Sequence, residues 1–386
     1  MHIDHELMKQ SNRSRILNVV YQNKTVTRQE VSRILRISLP TVVSNVADLV
    51  EEGILEVAGM ATSTGGRKPM IIRFVAHSRY SIGIELKTSK GRIILTNLKS
   101  KIIDEIDLKW NKFRIEDVMQ EAALLVDKMI KRNNIEADKL LGIGFAIPGI
   151  VDEETLYLEN APNLGAKNID FNLYQHLFPA QIYMENEANT AAYAEAMLAD
   201  ENHNSNLIYL SIKEGIGTGI IIQNQLYKGN NKKAGEFGHM HISMEKRKCS
   251  CGRYGCWETF ASEKALKNSY AVMTGELGEI EHIMAKVKEK DLATQSVLDQ
   301  YIDYLVVGIE NIILGLSPQY IVLGGNISQY EDIIIPLIES KMGKETTIYE
   351  ILETKVICSI LGRNASILGA SLLPIHNLFH YEKITI

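Results

Sequence analysis

Three cysteines, at positions 249, 251 and 256, lie within eight residues of one another, and His239 precedes the first of them by ten residues. Three thiolates and one imidazole can fill all four positions around a tetrahedral Zn²⁺ ion, which is the arrangement of a structural zinc site. Gly252 and Gly255 would let the chain turn tightly around the ion. We therefore predict one structural zinc, bound by His239, Cys249, Cys251 and Cys256. The alternative is three buried free cysteines, and Cys358 is expected to be a core residue.

The N-terminal segment carries the signals of three short helices. Apolar residues at helical spacing predict a first helix from Asn12 to about Gln22. Thr27 and Glu30 fit a capping box, which predicts a second helix ending near Arg36. Ser38 can cap a third helix, and Pro40 is tolerated in its first turn. Two short helices joined by a tight turn are typical of the helix-turn-helix, whose second helix enters the major groove of DNA.

The third helix is predicted to have an apolar and a polar face. Its apolar stripe comprises Leu39, Val42, Val43, Val46, Leu49 and Val50. The other face carries Thr41, Ser44, Asn45 and Asp48. We expect Thr41, Ser44 and Asn45 to contact base edges. Two strands follow, at residues 54–57 and 70–74, and the segment between them carries Arg67 and Lys68. This predicts a winged helix-turn-helix in which Arg67 and Lys68 reach the DNA backbone or the minor groove.

The charge distribution favours the same interpretation of the N-terminal segment. Residues 1–75 contain ten Lys or Arg against seven Asp or Glu, whereas the remainder contains 32 against 40. Between residues 9 and 47 seven basic residues face one acidic residue. A basic block on an otherwise acidic protein is typical of a module that faces phosphates. The alternative is a small helical protein-interaction domain with a solvated basic face.

The composition indicates an ordinary globular protein. The chain has 386 residues, of which 45% are hydrophobic and 23% charged, so it is long enough for two or three domains. Its apolar stretches are interrupted well short of the ~18 residues that a membrane helix needs. The N-terminus has neither the basic start nor the apolar core of a secretory signal. We expect a cytoplasmic protein without membrane association.

After residue 80 the sequence alternates between β-branched runs and helical stretches, which predicts an α/β architecture. Three domains are predicted: a winged helix-turn-helix at 1–75, a first α/β lobe at 76–190, and a second α/β lobe with the zinc-binding loop at 191–386. The last helix can return to the first lobe. A polar stretch at 200–205 is a candidate seam between the lobes.

Several motifs resemble those of the ROK family of sugar kinases and sugar-responsive repressors. They lie at Leu141–Asp152, Glu185–Asn189, Gly235–His239 and Cys249–Glu258. With the winged segment in front, the chain looks most like the xylose-responsive repressors of Gram-positive bacteria within that family. The resemblance implies an actin-like, ribonuclease H-like, two-lobed body that binds a sugar.

The resemblance also implies which residues bind the sugar. The hydroxyl-binding positions of the family fall on Asn186, Glu187, Glu236, His239 and Glu258. All of these side chains can form hydrogen bonds to a polyhydroxy ligand. His239 can bind zinc through one ring nitrogen and a sugar hydroxyl through the other, while the same ion would hold Glu258 in place.

Two departures from the kinase pattern indicate a sensor rather than an enzyme. Kinases of the family have a glycine-rich turn at the phosphates, whereas the matching stretch here is Gly83–Thr88 and has no glycine in the turn. Their catalytic Asp is replaced by Glu187, and a displacement of about one ångström can cost ~10²-fold in rate. We expect no nucleotide cofactor and no catalytic residue.

Three hypotheses of function follow. The first is a repressor that binds operator DNA as a homodimer or a dimer of dimers and is released by a monosaccharide, best assigned as D-xylose. The second is an active ATP-dependent ROK-type sugar kinase with an added regulatory domain. The third is a zinc-stabilised interaction module that binds neither sugar nor DNA.

Overall fold

The structure is a computed structural model that describes residues 2–60, 69–199, 206–342 and 353–379. The N-terminal head, residues 2–74, contains three helices and a small sheet. Its elements are α1 (His2–Gln22), β1 (Val26–Thr27), α2 (Arg28–Leu35), α3 (Leu39–Glu51), β2 (Leu55–Met60) and β3 (Met70–Phe74), with the strands in the order β1-β3-β2. The head is therefore a winged helix-turn-helix.

The predicted helix signals are confirmed at their capping residues. The Thr27 hydroxyl accepts a hydrogen bond from the Glu30 amide, and the Glu30 carboxylate accepts one from the Thr27 amide. The Ser38 side chain caps α3 at the Thr41 amide. The start of α1 was predicted ten residues too late. In the added part Lys9 forms an ion pair with Asp48 of α3, a contact between two helices that apolar spacing does not reveal.

The first lobe of the body is built on a five-stranded sheet in the order β11-β7-β4-β5-β6. A small antiparallel sheet, β10-β9-β8, lies beside it. The elements are β4 (Tyr80–Leu86), β5 (Lys90–Asn97), β6 (Ile102–Lys109), α4 (Ile115–Arg132), β7 (Leu140–Ile147), β8 (Ile150–Asp152), β9 (Tyr157–Ala161), β10 (Ala166–Asp170), β11 (Ile182–Asn186) and α5 (Glu187–Leu198).

The second lobe has a five-stranded sheet in the order β14-β13-β12-β15-β16. Its elements are β12 (Asn206–Ile212), β13 (Ile216–Ile222), β14 (Gln225–Leu226), α6 (Glu258–Ala261), α7 (Glu263–Thr274), α8 (Ile280–Lys288), α9 (Leu292–Leu316), β15 (Tyr320–Gly324), α10 (Glu331–Lys341) and β16 (Lys355–Cys358). In each lobe three antiparallel strands are followed by two parallel strands. The two lobes thus share one topology, as a duplicated body requires.

Two helices connect the lobes. The last helix, α11 (Ala365–Phe379), packs against β4 and β7 of the first lobe. It approaches so closely that a Cβ added at Gly144 would lie 1.9 Å from the Ala370 carbonyl oxygen. Helix α5 lies between α11 and β13 of the second lobe. The predicted boundary after residue 190 therefore falls inside the continuous helix α5, and the predicted seam at 200–205 lies outside the described residues.

The head is joined to the first lobe by an apolar cluster. The rings of Tyr21, Phe74 and Phe379 contact one another, with centroids 5.1 to 6.1 Å apart. Tyr193 of α5 and Ile375 of α11 belong to the same buried cluster as the core of the head. Because of this cluster, the head and the body share one core rather than meeting through a linker.

Among the described residues, no helix has both the length and the apolar content to cross a membrane.

Candidate functional site

A cleft of about 1290 Å³ opens where α5 meets the strands and loops of the second lobe. All five residues predicted to bind a sugar lie in its wall: Asn186, Glu187, Glu236, His239 and Glu258. The first two come from the junction of β11 and α5, and the other three from the segment around the cysteines. Residues more than 70 positions apart in the sequence are thus brought to one cavity.

Asn186 caps the N-terminus of α5. Its Oδ1 accepts hydrogen bonds from the amides of Ala188 and Asn189, at 2.8 and 3.2 Å. Its Nδ2 donates to the Gly149 carbonyl oxygen at 2.8 Å. A primary amide has two N–H donors, so one donor remains for a ligand in the cleft.

Glu187 belongs to a group of four charged side chains, the ion quartet, which comprises Glu85, Lys87, Glu187 and Lys213. The Nζ of Lys213 lies 2.7 Å from Oε2 of Glu187 and 3.7 Å from Oε1 of Glu85, while Lys87 contacts the other Glu85 oxygen at 2.9 Å. Ser211 donates to Oε1 of Glu187 at 3.2 Å. Two positive charges are matched by two negative charges, so the quartet is neutral.

The quartet sets the protonation state of Glu187. Burial raises the pKa of this carboxyl, but the charges of Lys213 and Lys87 and the hydrogen bonds from Lys213 and Ser211 together lower it by more, so the net pKa lies below the ordinary value. Burial in turn lowers the pKa of Lys213, and the carboxylates of Glu187 and Glu85 raise it well above its usual range. Glu187 is therefore an ionised hydrogen-bond acceptor and a weak base.

Lys213 is a site residue that the sequence analysis missed. It lies in the turn between β12 and β13, two residues before Gly215. A lysine at the end of a buried strand, beside a glycine-rich segment, is the signal that could have revealed it. Its partner Glu85 lies at the end of β4, just before the turn that lacks glycine, and was likewise not predicted.

The glycines of the cleft have a packing explanation. A Cβ added at Gly219 would lie 2.4 Å from the Ala188 carbonyl oxygen, and one at Gly217 would lie 3.2 Å from the Ala188 Cβ. These glycines let β13 approach α5 closely. Gly83 likewise faces the Ile367 carbonyl oxygen of α11, at 2.4 Å from an added Cβ.

The predicted metal ligands converge on one point. The ligand atoms of His239, Cys249, Cys251 and Cys256 all lie within 4.8 Å of one another. The sulfur atoms of Cys251 and Cys256 are 3.7 Å apart, and Sγ of Cys249 is 3.4 Å from Nδ1 of His239. With Zn–S distances near 2.3 Å, tetrahedral geometry places two sulfurs about 3.8 Å apart, so the spacing fits zinc. This cluster can hold a metal ion.

The cluster and the cleft share residues. His239 directs Nδ1 toward the thiol group of Cys249, while its Nε2 lies 3.7 Å from Oε2 of Glu236 on the cleft side. Glu258 Oε1 lies 2.8 Å from Sγ of Cys249. An ion bound by the cluster would replace the Cys249 thiol proton that Glu258 accepts, so it would hold the imidazole in place and leave the Glu258 carboxylate for a ligand in the cleft. Cys358 lies in the core of the second lobe, where burial raises its pKa to about 12.

The exposed face of α3 differs from the prediction: it includes Leu39 and Val43, which were placed in the apolar stripe, and excludes Asn45. Ser44 is exposed and Thr41 half-buried, whereas Asn45 is only 4% exposed. Placing Asn45 on the polar face was wrong, because positions 42, 45, 46 and 49 form the buried stripe of a helix. Its amide donates to the Thr41 carbonyl oxygen at 2.8 Å. Arg67 and Lys68 lie outside the described residues.

Comparison with known proteins relates this chain to one family. Residues 81–377 match the ROK family, and residues 10–56 match a winged helix-turn-helix DNA-binding domain. A xylose repressor of Bacillus spizizenii is 32% identical over 99% of each chain. A solved ROK family transcriptional regulator, a homolog of the E. coli MLC protein, has a TM-score of 0.84 at 22% identity and covers 97% of both chains.

A kinase structure also matches the body. The ROK family glucokinase of Streptomyces griseus, solved with glucose and AMPPNP, has a TM-score of 0.66 at 21% identity. It covers 76% of this chain, and 98% of its own chain is matched. The predicted fold, a winged helix-turn-helix followed by an actin-like two-lobed body, is confirmed.

Proposed function

The chain belongs to the ROK family, and we propose that it is a sugar-responsive transcriptional repressor, which binds operator DNA and is released by a monosaccharide. One observation carries this proposal. The DNA-binding head shares its core with α5 and α11, and α5 begins in a cleft lined by side chains that can bind hydroxyl groups. A ligand at the N-terminus of α5 is thus linked to the head through one helix.

D-xylose is the proposed effector. The similar protein of Bacillus spizizenii is named a xylose repressor, and similarity extends over the whole chain. The cleft supplies donors and acceptors that suit a neutral polyhydroxy ligand: the free N–H of Asn186, the ionised Glu187 and the carboxylates of Glu236 and Glu258. The neutral ion quartet is poorly suited to an anionic phosphate group, since its two cations are already paired.

The same residues argue against phosphoryl transfer, and we propose that the protein is not an enzyme. A general base works best with a pKa near the operating pH, whereas the pKa of Glu187 is lowered. The turn after Glu85 is occupied by Lys87, which is paired with that carboxylate, in place of glycines that would admit phosphates. The competing function, sugar kinase activity, is favoured only by the similarity of the body to the glucokinase structure.

We propose that the ligand cluster binds one structural zinc through His239, Cys249, Cys251 and Cys256. Zinc would fix the loop that carries the cleft residues. Bound at Nδ1 of His239 and at the Cys249 thiolate, it would leave His239 Nε2 and the Glu258 carboxylate available to a ligand in the cleft. On the head, Thr41 and Ser44 are proposed to contact bases, and Arg67 and Lys68 the DNA backbone or minor groove. Two heads of a homodimer would read two half-sites.

Two measurements test the proposed function. Calorimetric titration with D-xylose, D-glucose and N-acetylglucosamine should show binding of at least one sugar, with D-xylose bound most tightly. A coupled assay with ATP and the same sugars should show no sugar-dependent formation of ADP. Turnover of ATP at a rate typical of kinases, about 1–100 per second, would establish the kinase instead. Failure to bind any of the three sugars would reject the proposed effector.

A further inference from the structure

Two lysines of the second lobe contact the two glutamates on either side of Asn186. Lys213 contacts Glu187, as described above, and Lys228 contacts Glu185 with Nζ 2.6 Å from Oε2. Lys228 lies two residues after β14, whereas Glu185 lies near the end of β11 in the first lobe. Both ion pairs therefore cross between second-lobe loops and the strand end that presents Asn186.

Glu185 links Lys228 to the start of α5. Its other carboxylate oxygen, Oε1, accepts hydrogen bonds from the Asn186 amide at 2.8 Å and from Nδ2 of Asn189 at 3.0 Å. One carboxylate thus joins Lys228 to the backbone of Asn186 and to the first turn of α5. Because Asn186 keeps a single N–H for a ligand, small rotations at this turn change where that donor points.

The ion pair between Lys228 and Glu185 is important because Glu185 is buried. Glu185 is 4% exposed, so its charge needs compensation that water cannot supply. Lys228 also contacts Glu153 of the first lobe at 2.7 Å. Burial lowers the pKa of Lys228, and the two carboxylates raise it by more, which keeps the ammonium charged. Without Lys228, the buried carboxylate would lose its cation and its orientation.

We propose that Lys228 is a positioning residue for effector binding, which acts through Glu185 to hold the Asn186 side chain in its ligand-binding orientation. This inference rests on the proposed function, since it concerns the same sugar site. It adds a residue that is not in the wall of the cleft and that no motif of the sequence analysis included. It also makes the approach of the two lobes a condition for a complete sugar site.

A neighbouring ion pair provides the control. Lys233 lies five residues after Lys228 and contacts Glu159 of the first lobe at 2.8 Å. Its side chain is 39% exposed and that of Glu159 is 44% exposed. Lys233→Met therefore removes a lysine of the same loop from a similar pair, but an exposed one that does not touch α5. It should bind sugar as the parent does.

The experiment compares D-xylose affinity by calorimetry in the full-length parent, Lys228→Met, Lys228→Arg and Lys233→Met. Lys228→Met should bind at least about tenfold more weakly, the size of one lost charge-assisted hydrogen bond. Lys228→Arg keeps the charge and should stay within about threefold of the parent. Zinc content and sugar-free operator affinity should be unchanged in every variant that folds. Glu185→Gln serves as a second route if Lys228→Met does not fold.

A double-mutant cycle with Asn186→Ala separates positioning from general stabilisation. If Lys228 acts through Asn186, Lys228→Met should change the D-xylose affinity of Asn186→Ala by less than about threefold. An equal loss in both backgrounds, or parent-like binding by Lys228→Met and Glu185→Gln, would overturn the inference and leave the proposed function standing. A parent protein that binds none of the three sugars would overturn both.

Discussion

Nζ of Lys213 lies 2.7 Å from Oε2 of Glu187, and this pair joins the turn between β12 and β13 to the first residue of α5. A carboxylate at a helix N-terminus is also favoured by the helix dipole. The position that resembles a catalytic base in the kinases is therefore occupied by an ionised, firmly held side chain. That arrangement suits ligand binding better than proton transfer.

Helix α5 carries this position toward the head. Six residues after Glu187, Tyr193 is buried in the cluster shared with the head, and its hydroxyl lies 2.6 Å from Nδ1 of His376 in α11. Both α5 and α11 contact the body on one side and the head cluster on the other. A sugar can shift the DNA-binding equilibrium only if its affinity differs between two arrangements of these helices.

Substitution of Glu187 by Gln should weaken sugar binding. The neutral amide loses the ion pair and leaves Lys213 with Glu85 as its remaining carboxylate, at 3.7 Å. We expect D-xylose affinity to fall at least about tenfold and the free energy of unfolding to fall by about 1–3 kcal/mol. Calorimetry and denaturant unfolding measure the two effects. Glu159→Gln, at an exposed glutamate outside the cleft wall, is the matched control, and parent-like binding by Glu187→Gln would remove Glu187 from the site.

Removal of one metal ligand should abolish zinc binding and sugar response together. Cys251→Ser leaves three ligands, and metal analysis should show substoichiometric zinc where the parent holds one ion per chain. DNA binding by the head should be affected less than the response to sugar. Cys358→Ser changes a cysteine outside the cluster and should keep the zinc. A parent protein without zinc after purification free of chelators would contradict the proposed metal site.

The exposed residues of α3 should determine sequence preference. Ser44→Ala should reduce discrimination at one operator position by about 1–3 kcal/mol and leave the dependence of affinity on salt unchanged. Arg67→Ala should weaken binding to all DNA and reduce the salt slope by about one unit, if the residue neutralises one phosphate. Binding measurements at several salt concentrations on single-base variants of the operator distinguish the two. A changed base preference with an unchanged slope for Arg67→Ala would show that its predicted role is wrong.

Much of the fold could be predicted because its signals are local. The capping box at Thr27 and Glu30 and the alternation of β-branched runs with helical stretches act over a few residues, and the structure has the capped helix and an α/β body. The metal cluster was equally predictable, since its three cysteines are close in sequence and few other arrangements bring such residues together.

The errors came from residues whose type does not reveal their environment and from contacts between distant segments. Asn45 is polar, yet it lies at a buried helix position, where its amide bonds to the Thr41 carbonyl oxygen. Val43 is apolar, yet it is 37% exposed on the opposite side. Lys213 and Lys228 find their glutamates only when the two lobes come together, and no spacing along the chain encodes that contact.

The contact between head and body should support both stability and coupling. Phe379→Ala removes a ring that contacts Tyr21 and Phe74 of the head. The free energy of unfolding should fall by about 3–5 kcal/mol, the usual cost of deleting a buried aromatic ring. D-xylose should then change operator affinity less than in the parent. Leu173→Ala, at an exposed site, should leave both quantities near the parent values, and an unaltered sugar effect in Phe379→Ala would refute this route.

The ion pairs between the lobes should give a specific acid sensitivity. The hydrogen bond from Lys232 lowers the pKa of Asp152 to about 2, and the Lys232 ammonium lies 2.5 Å from its carboxylate. Because this pKa is lowered by folding, the pair stabilises the protein above pH ~4, and its contribution is lost as the pH falls toward 2. The difference in unfolding free energy between the parent and Asp152→Asn should therefore shrink over that range. A difference independent of pH would contradict the pairing.

We propose that a sugar bound between the lobes releases the head from DNA. Titration of operator DNA with the full-length protein, at one salt concentration and with or without saturating D-xylose, tests it most directly. A coupling free energy of about 1–3 kcal/mol predicts that D-xylose weakens operator binding by roughly 5- to 150-fold. The same Kd for the operator with and without a sugar that calorimetry shows to be bound would contradict release by the sugar.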